Sequence, residues 1–428
     1  MQRAFVLGAL VYGLVLLGLA SVRGEIIALA LPLVVYLAAG LLEPPAMPVL
    51  RATRRLSADR ASPGAPVTVT LSVTNEGAHA VDVLLADRLP RGLHVEDGEL
   101  ALRALLAAGA TADLRYTVSG RRGLYTFGDI TATASDMLGL FRKRAHVSAP
   151  GQLFVVPEVP RLRRVNLRPR NTQMYAGTVP ARQGGPGIEF FGVREYQPGD
   201  SMRWINGRAT ARHAEALFVN EFEQERVAEV VIILDARQRC DVQTPSGSLF
   251  EHAVQATAAL ADVLLTHGNR VGVLAYGGAL NWTFPGYGKV QRERILQALA
   301  RAQPGDLPIF ESFDFLPTQM FPPRAQLILI SPLLPNDAAA LRKLRARGYA
   351  LLVMSPNPVA FEQQDLAATP EVALAARIAQ VERALLLRQC RAAGIPLIDW
   401  PVDVPLQQIV TTALGQAAHL FRALGGLR

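Results

Sequence analysis

Two uncharged apolar runs at the amino terminus constrain this chain more than any other feature. Ala4 to Val22 and Ile26 to Leu42 hold about 19 and about 17 residues, close to the roughly 20 that cross a hydrocarbon core as a helix. Only Arg23-Gly24-Glu25 separates them. A secretory leader has a shorter apolar stretch followed by a polar mature sequence, whereas here a second apolar run follows at once. The pattern predicts a two-helix transmembrane hairpin within residues 1–45, with Pro32 tolerated inside the second helix. Arg3 precedes the first run, and Arg51, Arg54 and Arg55 follow the second. Positive flanks stay on the cytoplasmic side. The expected location is the cell membrane, multi-pass, with the lipid bilayer as a partner and the soluble domains facing the cytoplasm.

Composition narrows the remainder. Half of the 428 residues are apolar and 19% are charged, which excludes an intrinsically disordered chain. Lys and Arg number 44 against 36 Asp and Glu, and a net charge of +8 is too modest at this length to call for nucleic acid. Cys240 and Cys390 stand far apart without metal-ligand spacing, which argues against a disulfide framework and a structural zinc site.

Residues 46–156 read as a β-sandwich-like domain. Pro66 to Thr74 alternates apolar and hydroxyl side chains, the signature of a half-buried strand. Asn75-Glu76-Gly77 turns it, and Val81 to Ala86, Leu114 to Val118 and Ile130 to Ala134 continue the style. Leu100 to Ala108 fits a helix or a strand equally. No His/Asp/Cys constellation occurs in this stretch, so a binding or spacer module is expected. Residues 157–226 then form an Arg-rich linker and a motif segment. Arg161, Arg163, Arg164, Arg168 and Arg170 suit a solvated linker, an anionic lipid surface or, least well, nucleic acid, because no aromatic platform is interleaved.

The motif segment runs from Gly184 to Arg212. Glycines and prolines alternate with Glu189, Arg194, Tyr196, Asp200, Arg203, Arg208 and Arg212. Acid and base stand close enough for guanidinium–carboxylate pairing, so these seven residues are expected to form a structural or partner-binding network. Beyond it, residues 227–428 alternate strands and helices. Glu229 to Asp235 is a continuous apolar strand, and the apolar positions 250, 253, 254, 257, 261, 264 and 265 trace a helical stripe. Strands at 270–276, 326–330, 349–354 and 396–398 and helices at 289–302, 337–347, 372–392 and 406–424 complete a doubly wound α/β domain with a parallel sheet.

Glu189-Phe190, Arg194, Tyr196, Gly199-Asp200, Arg203 and Ile205 resemble the domain-of-unknown-function 58 family, as do Arg122-Gly123-Leu124-Tyr125 and Asp136 to Phe141 upstream. Gly207 stands where that family usually carries tryptophan, although Trp204 is near. The resemblance implies a membrane-linked companion of a MoxR-type AAA ATPase, with a transglutaminase-like membrane protein as a further partner. It also implies that the α/β domain is similar to a von Willebrand factor A domain. No catalytic residue carries over.

In von Willebrand A domains a divalent cation is held by an Asp-x-Ser-x-Ser run after the first strand. Here the run is Asp235-Ala236-Arg237-Gln238-Arg239, and no acid stands at Ser331-Pro332, where a second carboxylate is usual. Two guanidiniums in place of hard oxygen ligands predict a degenerate metal-site loop, with neither metal nor cofactor. The expectation is that Arg237 or Arg239 supplies the positive charge internally, pairing with Asp235 or a partner's carboxylate; solvated loop arginines are the plainer alternative. No phosphate-binding loop, dinucleotide fingerprint or nucleophile elbow occurs in the sequence. The expected function is a non-enzymatic, membrane-anchored interaction or assembly factor. The alternative is a hydrolase using Glu189 and Asp200.

Overall fold

The computed structural model describes residues 2–42, 47–135, 140–162, 172–173, 179–213, 216–323 and 325–412; for residues 2–3, 41–42, 172–173, 179–189, 191, 222–227 and 309 it describes the backbone alone. The chain divides into two compact units, residues 1–156 and 157–428.

The first unit opens with helices α1 (Gln2–Ser21) and α2 (Gly24–Leu42). They turn sharply at Val22, which adopts φ 52°. Gly18 permits their close approach, because a Cβ there would lie 2.5 Å from Ile27 Cγ1. Ala4–Ser21 is long and apolar enough to cross a membrane, whereas the apolar part of α2, Gly24–Gly40, is shorter. Phe5, Tyr12, Leu19, Leu31 and Val35 on the two helices are all largely exposed.

A β-rich region follows: β1 (Leu50–Leu56), β2 (Arg60–Ala61), β3 (Val67–Asn75), β4 (Val81–Ala86), β5 (Leu93–Gly98), β6 (Ala101–Leu106), β7 (Thr111–Gly120), β8 (Gly123–Phe127), β9 (Ile130–Ser135), β10 (Arg142–Val147) and β11 (Gly151–Val155). They form sheets in the orders β1-β3-β7-β5, β10-β9-β4-β6 and β2-β11-β8. Alternation in β3 sends Val67, Val69, Leu71 and Val73 inward, where they meet Val83 and Leu85 of β4 and Ala132 and Ala134 of β9 in one core. Within the ambiguous Leu100–Ala108 stretch, Ala101–Leu106 form strand β6, paired with β4. The upstream motif positions 136–139 lie outside the described residues.

The second unit contains β12 (Thr172–Gln173), β13 (Val179–Glu195), α3 (Gly207–Thr210), β14 (Phe218–Ala236), β15 (Gln243–Thr244), β16 (Gly247–Ser248), α4 (Leu249–Thr266), β17 (Arg270–Gly277), β18 (Asn281–Gly286), α5 (Gly288–Arg301), β19 (Gln326–Ile330), α6 (Asp337–Ala346), β20 (Ala350–Pro356), α7 (Pro358–Gln363), α8 (Pro370–Ala392) and β21 (Leu397–Trp400). The main sheet runs β18-β17-β14-β19-β20-β21. All neighbours are parallel except β18, which pairs antiparallel with β17. Val231 and Ile233 of β14 pack with Leu341 and Leu344 of α6 and Leu387 of α8. The alternating Val230, Ile232 and Leu234 are equally buried on the opposite face, so helices cover both sides, as the continuous apolar run requires.

Three features were not part of the expected pattern. The first part of the motif segment is a strand: β13 and the first half of β14 form an antiparallel ribbon that continues the central strand of the sheet. Its glycines are absorbed as register shifts between Ala181 and Gly184 and between Gly185 and Phe190. The antiparallel edge strand β18 and the short helix α7 were also not expected. Arg163, Arg164, Arg168 and Arg170, and the expected helix beyond residue 412, lie outside the described residues; Arg161 is exposed.

Candidate functional site

The order of the main sheet reverses on either side of β14, and ligands of open α/β sheets bind beyond the carboxyl ends of strands at such a reversal. The residues there come from three elements. Asp235 ends the apolar run of β14, Arg237 follows it, Ser331 stands just past β19, and Asp337 is the first residue of α6. All four are buried, Arg237 at 5% exposure.

The guanidinium of Arg237 fills the space between the two carboxylates. Its Nε donates to Asp235 Oδ1 at 2.9 Å and its Nη2 to Asp235 Oδ2 at 2.7 Å. Nη1 and Nη2 donate to Asp337 Oδ1 and Oδ2 at 3.0 and 2.7 Å. Nη1 also donates to the Glu311 carbonyl at 3.0 Å, so the five N–H groups of a guanidinium are matched by five hydrogen bonds. The Ser331 hydroxyl donates to Asp235 Oδ2 at 2.6 Å, and the Leu334 amide to Asp337 Oδ2 at 2.7 Å. One face of the guanidinium lies 4.0 Å from the centroid of the Phe313 ring.

The titration behaviour follows from this packing. Burial opposes the Arg237 cation, but its hydrogen bonds and charge pairing with Asp235, then Asp337, outweigh that and hold its pKa above the usual value. Burial raises the pKa of Asp337 even though Arg237 pulls it down. Burial and then the Asp235 charge push the Cys240 thiol upward. Burial pushes the nearby Tyr276 phenol up to about 12.

This donor set does not fit a divalent cation. Hard-oxygen coordination needs the carboxylate and hydroxyl oxygens to converge on open space, and here they converge on a guanidinium carbon. Among the described residues, no group of three or more His, Cys, Asp or Glu side chains is placed to hold a metal ion. The carboxylate sought at Ser331-Pro332 comes instead from Asp337, whose Oδ2 reaches back to the Leu334 amide in the loop after β19. The two loop arginines divide: Arg239 is exposed and pairs with Glu311 at 3.0 Å, while Arg237 is enclosed.

A second buried arginine extends the arrangement along the same edge. Arg383 of α8 donates to Asp399 Oδ1 at 2.7 Å, to the Pro332 carbonyl at 2.9 Å and to the Ser355 hydroxyl at 2.9 Å. It ties the ends of β19, β20 and β21 together. Nothing local in the sequence marks Arg383 as different from its exposed neighbours Arg377 and Arg388. A third buried guanidinium lies in the β-rich region, where Arg54 donates to Asp87 at 2.6 Å and Tyr116 donates to the other Asp87 oxygen at 2.6 Å.

In the motif segment, Arg194 forks onto Asp200 through bonds of 2.7 and 2.6 Å and lies 3.5 Å from Glu221. The Gln197 amide also donates to Asp200 at 2.7 Å. The Arg194 bond first, then the Gln197 amide, hold the Asp200 carboxyl below the usual range. Tyr196 is placed by its backbone, its amide donating to the Leu217 carbonyl. Arg203, Arg208 and Arg212 are exposed and form no ion pair with a described residue, and the side chain of Glu189 lies outside the described residues. Asn206, which sequence reasoning passed over, caps α3 through its Oδ1 and donates to Asn220 at 2.7 Å, pinning the segment to β14.

Residues 192–359, which take in the last residues of β13, all of β14, the Arg237 cluster and β20, match the family described as "Protein of unknown function DUF58". The chain is 26% identical over 257 residues to the uncharacterized protein YeaD of Bacillus subtilis, covering 59% of this chain and 61% of that one. It therefore matches less than two thirds of that relative's length. Over 262 residues it is 26% identical to the uncharacterized protein Rv1480 of Mycobacterium tuberculosis, covering 54% of this chain and 80% of that one. Among solved structures, a fragment of Escherichia coli alpha-2-macroglobulin is similar over 26% of this chain and 17% of that one, at 19% identity and a TM-score of 0.22, too low to carry a fold argument.

Proposed function

We propose that this protein is a membrane-anchored interaction or assembly factor whose α/β domain is a von Willebrand A-like module with its cation replaced by Arg237. The observation that carries the reading is the five-bond enclosure of that guanidinium between Asp235 and Asp337 at the sheet's reversal point. The sheet order, with a single antiparallel strand at one edge, supports the module assignment. A domain built this way binds partners by shape and surface charge rather than by offering a metal to an incoming carboxylate. The two N-terminal helices, whose apolar side chains face outward, support a hairpin anchored in lipid, with the remainder on the cytoplasmic side. The β-rich region, with its three sheets around one core, serves as a sandwich-like spacer or binding module.

Resemblance to the DUF58 family supports a MoxR-type AAA ATPase as the working partner, with a transglutaminase-like membrane protein as a further candidate. Arg203, Arg208 and Arg212, exposed beside Met202 and Leu217, provide a basic and apolar face for docking. The hydrolase alternative is weakened by Asp200: both its oxygens are engaged by Arg194 and its pKa is depressed, the opposite of what a general base near neutral pH needs. Reconstitution of the full chain with a MoxR-type AAA ATPase tests the reading. Saturable binding that weakens when Arg203, Arg208 and Arg212 are changed to Glu together supports it. No binding, or substrate turnover abolished by Asp200→Asn with the fold intact, refutes it.

A further inference from the structure

Helix α8 buries one face and leaves a second apolar face open. Ala376, Arg383 and Cys390 recur every seven residues and point into the domain, with Arg383 locking the helix's rotation through Asp399, Ser355 and Pro332. On the other side Leu374, Ile378, Val381 and Leu385 are 60, 55, 61 and 54% exposed. Their spacing of four, three and four is that of the a and d positions of a heptad, and a stripe this narrow is a coiled-coil seam rather than the broad face of a core helix. Isolated exposed apolar residues need no explanation, but four in register on one helix do.

The stripe ends in opposite charges. Extending the same spacing places exposed Glu371 one step before Leu374 and exposed Arg388 one step after Leu385. In an antiparallel pair of identical helices centred between Ile378 and Val381, each layer joins an a residue to a d residue. Glu371 then faces Arg388 of the second copy, Leu374 faces Leu385, and Ile378 faces Val381, with the same layers repeated in reverse. The seam is about 25 Å long at 1.5 Å per residue. Small side chains at Ala375 and Ala384 flank it and permit close approach of the helices. Arg377 is balanced by Glu382 on the exposed surface, so the face lacks the basic excess that an anionic lipid surface selects.

We infer that α8 is a homodimer interface, pairing antiparallel with α8 of a second copy through Leu374, Ile378, Val381 and Leu385 and closing at both ends with Glu371–Arg388 ion pairs. A two-fold axis makes the patch self-complementary, as an isologous interface requires. The inference does not depend on the functional reading above. The four-residue seam is smaller than the roughly 800 Å² per partner of a standard interface, so the dimer is weak in dilute solution.

Sedimentation of the full chain in detergent, or energy transfer between labelled copies in nanodiscs, reads the dimer directly. Ile378→Glu is expected to abolish association, since it places two like charges at the centre of the seam. Glu371→Arg and Arg388→Glu are each expected to weaken it roughly three- to tenfold, by replacing two attractive contacts with repulsive ones, and the double reversal to restore it. That restoration separates a specific antiparallel pair from a variant that merely misfolds. A monomeric wild-type chain, a dimer indifferent to Ile378→Glu, or charge reversals that fail to rescue one another overturns the inference. So does the finding that deleting residues 413–428 is what uncovers the face, or that Ile378→Glu changes only binding to lipid vesicles.

Discussion

Arg237 is the residue on which the α/β domain turns. Removing one partner of a buried ion network leaves the others uncompensated, which typically costs about 3–5 kcal/mol. Arg237→Met is therefore expected to destabilise the domain by about that amount in chemical denaturation, because Asp235 and Asp337 are left facing each other without a cation. Asp337 adds a pH dependence. Burial raises its pKa in the folded protein, so between the ordinary carboxylate value and that raised value the folded state holds a proton that the unfolded chain has released. Stability then falls as pH rises through this window and levels off above it. Denaturation midpoints measured across mildly acidic pH should show this slope in the wild type and lose it in Asp337→Asn. Little of this was legible in sequence. Asp235 and Arg237 stand two residues apart and invite pairing, but Asp337 lies a hundred residues further on and meets them only because β19 lies beside β14 in the sheet. Arg383 carried no local signal at all.

Elements were more legible where a single face or a full burial dictated the pattern. The Val/Thr alternation of β3 and the unbroken apolar run of β14 each imply one burial geometry, and both strands form as expected. Leu100–Ala108 resisted reading because a short leucine- and alanine-rich stretch suits either period, and pairing with β4 decides it. Loops at the sheet edge are set by close approach. A Cβ on Gly305 would lie 2.1 Å from Gly278 Cα, while the Gly305 amide donates to Ala236 and its carbonyl accepts from Gln238. Gly305→Ala is expected to destabilise by about 1–3 kcal/mol through overpacking and to loosen Arg237, read as faster hydrogen exchange at the end of β14. In the motif segment, loss of the Asn206 cap in Asn206→Ala should cost about 1–2 kcal/mol, measured by thermal unfolding with ribbon amides as the local probe.

At the scale of the whole molecule, the order of apolar helices, β-rich region and α/β unit follows composition shifts along the chain. The register of the β13–β14 ribbon does not, because its glycines suggested turns where the structure places bulges. The proposed hairpin anchor makes a topological prediction. Arg23→Cys, at the turn between the helices, should react with a membrane-impermeant maleimide in intact cells, and Glu96→Cys only after permeabilisation. The reverse labelling pattern would contradict a cytoplasmic β-rich region, and a position 23 reachable only from inside would contradict the hairpin.

On the proposed reading, the Arg237 guanidinium holds the place of a cation at the sheet's reversal point. Magnesium titration calorimetry on the detergent-solubilised full chain tests it most directly, with the wild type compared against Arg237→Ser, which reopens the space between Asp235, Asp337 and Ser331. The expected result is no binding heat for the wild type and a magnesium-dependent heat and thermal stabilisation for Arg237→Ser. A micromolar magnesium site in the wild type that disappears in Asp235→Asn would contradict it.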